Sequence, residues 1–215
     1  MVTIKKTQKI QKKEFFEVKV PMTTVKIMLY ATSKEELINR IVRIDLTRIL
    51  RGKSLELRVR VKKEGDDLIG FPTDIELMGS YIRRMFRKGI DYVEDSFNAK
   101  CRDMNVVIKP FMITRNKVSR AIRNELRKKS RDFLEGRLKT RNASEIFTEI
   151  ITNKIQKELS LKLKKIYPLA LCEIRMFKIL GPIENEKENL NEKKETASKK
   201  VVKSDDEIKE DNIVS

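Results

Sequence analysis

Between Ser54 and Lys62 the sequence alternates without a break, with Leu55, Leu57, Val59 and Val61 in one register and Glu56, Arg58, Arg60 and Lys62 in the other. Successive side chains of an extended chain point to opposite faces, so the pattern demands a strand with one dry side and one charged, arginine-bearing side. A fold that contains it needs a sheet whose apolar face is covered. Gly65-Asp66-Asp67 follows as a turn or loop.

Other strand candidates are shorter. Residues 15–20 form one, ended by Pro21, whose missing N–H suits an edge or strand end. Residues 27–30 form another, and Val42, Ile44 and Leu46 alternate with Arg43 and Asp45. Residues 90–97 and 103–109 read as an antiparallel hairpin with a basic tip at 98–102, closed by Pro110, with 111–114 leading out of the sheet. Cys172, Ile174 and Met176 alternate with Glu173, Arg175 and Phe177 in a final candidate over 169–180.

Helical spacing takes over in three places. Thr73-Asp74-Ile75-Glu76 matches a capping box, and Ile75, Met78, Ile82 and Met85 continue it as a stripe that Gly89 is placed to end. From 117 to about 135, Val118, Ile122, Leu126 and Phe133 mark an apolar side. Asn142 with Glu145 opens a third helix, carried by Phe147, Ile150, Ile155, Leu159 and Leu163 until Pro168 stops it near Tyr167.

Charge is unevenly spread. The 215 residues carry 49 Lys and Arg against 32 Asp and Glu, a formal net charge of +17. From Gly181 on, seven basic and ten acidic residues leave the earlier part with 42 against 22, so the cationic surplus lies in the part expected to fold. Such a surplus repels itself unless a polyanion neutralises it, and nucleic acid is the first candidate. Genome bias toward Lys, Ile and Asn is the competing explanation. Residues 1–13 read as a basic extended arm, 14–180 as the folded RNA-binding domain, and 181–215, poor in large apolar residues, as a disordered charged tail.

Catalysis finds little material. With no histidine, imidazole bases, Ser-His and Cys-His systems and histidine-containing zinc sites are excluded. Asp66-Asp67 read as turn residues, Asp91 and Glu94 fall on opposite faces of the expected strand, and Asp205-Asp206-Glu207 lie in the tail. Cys101 and Cys172 make no disulfide framework. No catalytic residue, metal or cofactor is expected. Without a signal-like apolar run or an apolar stretch of ~18 residues, no membrane is expected either, and the product is expected to be soluble and intracellular.

Cations at helical spacing are the binding candidates. Arg120, Arg123 and Arg127, continued by Arg131, follow one flank where guanidinium groups span adjacent phosphates, and Lys128 adds a cation beside them. Arg83, Arg84, Arg87 and Lys88 crowd another helix end, though the helix dipole alone favours cations there. Arg58 and Arg60 stand on the polar face of the strand, and Lys5, Lys6, Lys9, Lys12 and Lys13 on the arm. A solvated charged surface is the competing reading for each group. Phe15, Phe86, Phe111 and Phe133 read as core anchors or wedges against a neighbour rather than stacking platforms, so recognition of backbone and shape is expected.

Several stretches resemble one family in order. Lys12-Lys13-Glu14-Phe15-Phe16-Glu17-Val18-Lys19-Val20-Pro21, the segment 41–50, Tyr81-Ile82-Arg83-Arg84-Met85-Phe86-Arg87-Lys88, Arg120-Ala121-Ile122-Arg123 and Lys165-Ile166-Tyr167-Pro168-Leu169 with Glu173-Ile174-Arg175 and Lys178 resemble small-subunit ribosomal protein eS1, also called S3a or S3Ae. Asn124 replaces a Lys of the family pattern, Leu77-Met78-Gly79-Ser80 stands where the family has Leu-Thr-Arg-Asp, 95–102 lacks its Thr-Lys-Asp-Gly turn, and the section before Ile38 is shortened, as in a reduced or archaeal-like version.

The resemblance implies a compact α/β protein of mixed topology with a barrel-like sheet core flanked by helices. It implies a structural constituent of archaeal or cytoplasmic eukaryotic ribosomes, assembled in the nucleolus if eukaryotic. Its implied partners are the 3′ major or platform region of small-subunit rRNA, neighbouring small-subunit proteins and the vicinity of the mRNA exit, with a role in subunit assembly and initiation. Arg83, Arg84, Arg120 and Arg123 become the preferred rRNA contacts. The alternative is a free RNA-binding or RNA-chaperone module acting off the ribosome.

Overall fold

A computed structural model describes residues 12–50 and 52–182, which fall, Pro182 apart, in one compact unit. The alternating segment is strand β4 (Leu55–Glu64), with Leu55, Leu57, Val59 and Val61 fully buried. A two-residue turn at Gly65-Asp66, with Gly65 at φ +62°, returns the chain into β5 (Asp67–Leu77), which pairs with β4 along its whole length. β3 (Ile41–Asp45) pairs with the other edge of β4.

β5 organises the sheet because its second edge is shared. Its start pairs in parallel with β1 (Glu14–Lys19), which carries the edge strand β2 (Ile27–Ala31), and its end pairs with β9 (Leu169–Pro182). β9 continues to β8 (Met104–Thr114), whose other edge takes β6 (Tyr92–Glu94) and β7 (Phe97–Lys100) in succession.

Barrel closure is not found. The nine strands form an open, branched sheet that runs from β2 to β6, and among the described residues those two end strands do not pair. The physical reason lies in the helices. Leu126, Leu134 and Leu138 of α2 (Arg120–Thr140), Ile146, Phe147 and Ile150 of α3 (Ala143–Ile151) and Ile155, Leu159 and Leu163 of α4 (Lys154–Leu163) join Leu57, Ile75, Ile108 and Phe177 in one core. Helices supply the second apolar layer, so the sheet need not curl upon itself to bury its dry face.

Three local expectations change. Thr73-Asp74-Ile75-Glu76 lies inside β5, and only α1 (Gly79–Met85) is helical. The register moves from Arg58↔Asp74 to Val59↔Pro72, leaving Thr73 as the extra residue of a β-bulge, with its hydroxyl donating to the Arg58 carbonyl at 3.1 Å. β8 runs through Pro110 to Thr114; the missing proline N–H faces the gap between β6 and β7, where Asp95 N–H still reaches the Pro110 carbonyl at 3.4 Å.

The expected single helix after Asn142 is two, α3 and α4, broken at Asn153 with φ +59°. Lys53, at the entry to β4, buries its ammonium between Asn153 Oδ1 and the Glu173 carboxylate, fixing the break against β9. No helix among the described residues is long and apolar enough to cross a membrane.

Candidate nucleic-acid interface

Two loops meet at the edge of the sheet where β6 begins. Thr114 N–H bonds the Asp91 carbonyl at 2.9 Å, and the Asp91 carboxylate accepts the Val118 N–H at 3.0 Å. These bonds bring the turn after α1 beside the loop from β8 into α2. Gly89 makes that turn with φ +86°.

Both segments lack carboxylates. Residues 79–90 contain Arg83, Arg84, Arg87 and Lys88, and residues 115–124 contain Arg115, Lys117, Arg120 and Arg123, with no Asp or Glu in either. Arg83, Arg87, Lys88, Arg115, Lys117 and Arg120 are exposed, and none has an ion pair among the described residues. Asp91, the carboxylate between the segments, already accepts the Val118 N–H just ahead of the α2 cap.

The placement at α2 carries electrostatic meaning. Ser119 caps the helix through the Ile122 N–H, and no acidic residue occupies its first turn. A helix N-terminus presents partial positive charge, so Arg120 and the preceding Lys117 and Arg115 raise the local potential instead of balancing it. Such a site favours phosphate.

The rest of the candidate set divides. Arg58 lies 3.5 Å from Asp74 and 3.2 Å from Glu76. Arg131 is bidentate to Asp95 at 3.1 Å and covers the Phe97 ring. Arg127 donates from Nε to the Glu94 carbonyl at 3.1 Å and also bonds Asn124. With Lys109 and the Glu94–Arg175 pair, Arg127 lines a polar cleft of about 430 Å³. Arg58 and Arg131 thus have their charge met by carboxylates inside the protein, while Arg127 and Arg131 tie α2 to β6 and β7.

Arg84 bonds Ser54 Oγ at 3.3 Å over the Tyr81 ring, and Arg123 is half-buried with its Nε unpaired. Arg60, Lys128, Lys12 and Lys13 are exposed, with Lys13 above the Tyr30 ring. Lys5, Lys6 and Lys9, and the tail beyond 182, lie outside the described residues.

Sequence reasoning passed over Arg115, Lys117 and Lys53. The first two belong to a basic, acid-free approach to a helix N-terminus, a signal visible in the sequence had the helix start been placed at Ser119. Lys53 gives no local sign, because its partners are 100 and 120 residues away.

Cys101 and Cys172 are both buried, free thiols. Burial is the main cause that pushes both Cys101 and Cys172 up to about 12, with a nearby carboxylate adding to it, so each is an inert protonated thiol. Among the described residues no group of three or more Cys, Asp or Glu is arranged to hold a metal ion.

Comparison with known proteins gives a consistent answer. The Ribosomal S3Ae family matches residues 2–182. A "Small ribosomal subunit protein eS1" of Pyrobaculum islandicum is 28% identical over 200 residues, covering 89% of this chain and 90% of its own length. Proteins of the same name from Nanoarchaeum equitans and Saccharolobus islandicus are 25% identical over 175 residues and 28% identical over 126, covering 78% and 58% of this chain and 88% and 61% of their own lengths.

Proposed function

Since the chain belongs to the ribosomal S3Ae family, we propose that it is built into the platform of the small ribosomal subunit, near the mRNA exit, and supports subunit assembly and translation initiation. Family membership makes it a ribosomal, RNA-binding structural protein and not an enzyme. Its relatives' names and archaeal sources favour the small subunit of cytoplasmic ribosomes. A nucleolar assembly step applies only in a eukaryotic host.

The observation that carries the contact surface is the meeting of two acid-free segments, 79–90 and 115–124, at the α1 turn and the α2 N-terminus. There Arg83, Arg87, Lys88, Arg115, Lys117 and Arg120 face outward without internal partners among the described residues. Phosphates of the 3′ major region of rRNA take these positions, and Arg60, Lys128 and the basic arm of 1–13 add to them around the domain of 14–180. Neighbouring small-subunit proteins cover adjoining surface.

The test is incorporation in living cells. Tagged full-length chain is expected to stay with small subunits through a high-salt wash. A variant with Arg87, Lys88, Arg115, Lys117 and Arg120 changed to Gln is expected to keep its circular dichroism and migrate as free protein. A wild-type chain found only in a free pool would defeat the proposal and favour an RNA-binding module acting off the ribosome.

A further inference from the structure

Phe86 and Tyr92 stand at the sheet edge inside the cationic junction. Their rings meet edge to face at 5.1 Å, yet Phe86 is 41% and Tyr92 53% exposed. Both lean on Phe111, which is fully buried, at 5.9 and 6.5 Å. The pair is therefore held from beneath, and a ligand that covers it finds rings already ordered.

From this arrangement we infer that Phe86 and Tyr92 form a stacking platform for one unpaired RNA base, whose flanking phosphates are held by Arg87, Lys88 and the cations of the β8–α2 loop. The inference rests on the RNA-binding reading above and deepens it. Base faces stack on aromatic side chains without regard to sequence, while nearby cations track the backbone. A duplex keeps its bases stacked inside, so the occupant is a nucleotide from a loop, bulge or single strand.

Charge selects this occupant over an apolar protein surface. Arg87 and Lys88 follow Phe86 directly, and the Asp91–Thr114 bonds place Arg115 and Lys117 beside the strand that carries Tyr92. A hydrophobic partner covering the rings would desolvate these cations without compensation. A second exposed aromatic pair, Phe15 of β1 and Tyr30 of β2 at 4.9 Å, stands at the opposite end of the sheet from β6, away from this junction, and serves as the control.

The experiment titrates full-length protein onto a single-stranded RNA carrying one 2-aminopurine, onto its duplex, and onto the same strand with an abasic site. The base-bearing strand is expected to bind roughly five- to a hundredfold more tightly than the abasic one, with a change in 2-aminopurine fluorescence. Tyr92→Leu and Phe86→Leu, which keep apolar contact with Phe111, should lose that preference and that signal while keeping the salt dependence. Phe15→Leu should change nothing.

Should Phe86→Leu fail to fold, Tyr92→Leu, at the more exposed ring, decides. Retention of the preference by the Leu variants, or equal wild-type affinity for all three RNAs, would overturn the inference. So would ultraviolet cross-links in assembled subunits that join this peptide to protein and never to RNA. Loss of the stacking signal with intact subunit association sinks only the platform; stacking without subunit association sinks only the ribosomal placement.

Discussion

The two ends of α2 use the same residue type for opposite purposes. At the N-terminal end Arg120 stands exposed behind Arg115 and Lys117, with no carboxylate within the stretch 115–124. At the C-terminal end Arg137 is bidentate to Glu149 at 2.9 and 3.2 Å and reaches Glu158 at 3.3 Å, while Arg141 pairs with Glu145 at 3.1 Å. The first group leaves its charge for a partner, and the second spends it on fixing α2 against α3 and α4. Net charge counts both alike, but only unpaired cations in an acid-poor setting add to affinity for a polyanion.

The largest effect that would sharpen this contrast is expected on the folding side, at Lys53. Lys53→Ala leaves the Glu173 carboxylate buried and unpaired, which should cost about 3–5 kcal/mol in urea unfolding. Lys53→Met combined with Glu173→Leu should recover most of that loss, because two buried charges then disappear together. A Lys53→Ala protein as stable as wild type would break the division between structural and ligand-facing cations.

A smaller loss is expected at Arg137, whose side chain is 21% exposed. Glu149, through a hydrogen bond and then its charge, holds that guanidinium above its ordinary pKa despite the opposing effect of burial. Arg137→Ala should cost about 1.5–3 kcal/mol, read from the urea midpoint, with little change in RNA affinity. An equal loss of RNA binding and stability would erase the contrast between the two ends.

The smallest expected change in stability has the opposite sign. Arg120→Gln removes a cation from a helix N-terminus and should leave stability unchanged or raise it by about 0.3–1 kcal/mol. The same variant should bind single-stranded RNA more weakly, with the slope of log affinity against log salt shallower by about 0.7. Destabilisation with an unchanged slope would move Arg120 into the structural group.

Much of the fold was legible because periodicity reports burial directly. β4 follows its alternating residues, and α2 follows Ile122, Leu126 and Phe133, although it runs on to Thr140 and its fully buried positions continue at Leu134 and Leu138. What failed was pattern read without tertiary context. Thr73 through Glu76 has the spacing of a capping box, yet Arg58 on the facing strand gathers Asp74 and Glu76 and the bulge absorbs Thr73. Pro110 stays inside β8 because its missing N–H falls at the break between two partner strands, a coincidence that no local window contains.

The candidate site was half visible for the same reason. Clustered Arg and Lys can be read along a chain, but their long-range partners cannot, so Arg58, Arg127 and Arg131 stood among the candidates beside Arg87 and Arg120. The platform at Phe86 and Tyr92 was hidden because spacing alone made Phe86 a core or wedge residue. Only the buried Phe111 beneath both rings shows that they are presented outward together.

On the reading proposed above, cations without internal partners mark the surface turned toward rRNA. A density map of the assembled small subunit containing this chain tests it most directly. RNA phosphates are expected within hydrogen-bond distance of Arg87, Lys88, Arg115, Lys117 and Arg120, with Arg137 still paired to Glu149. A map in which that junction faces open solvent, while RNA lies along the α3–α4 side, would contradict it.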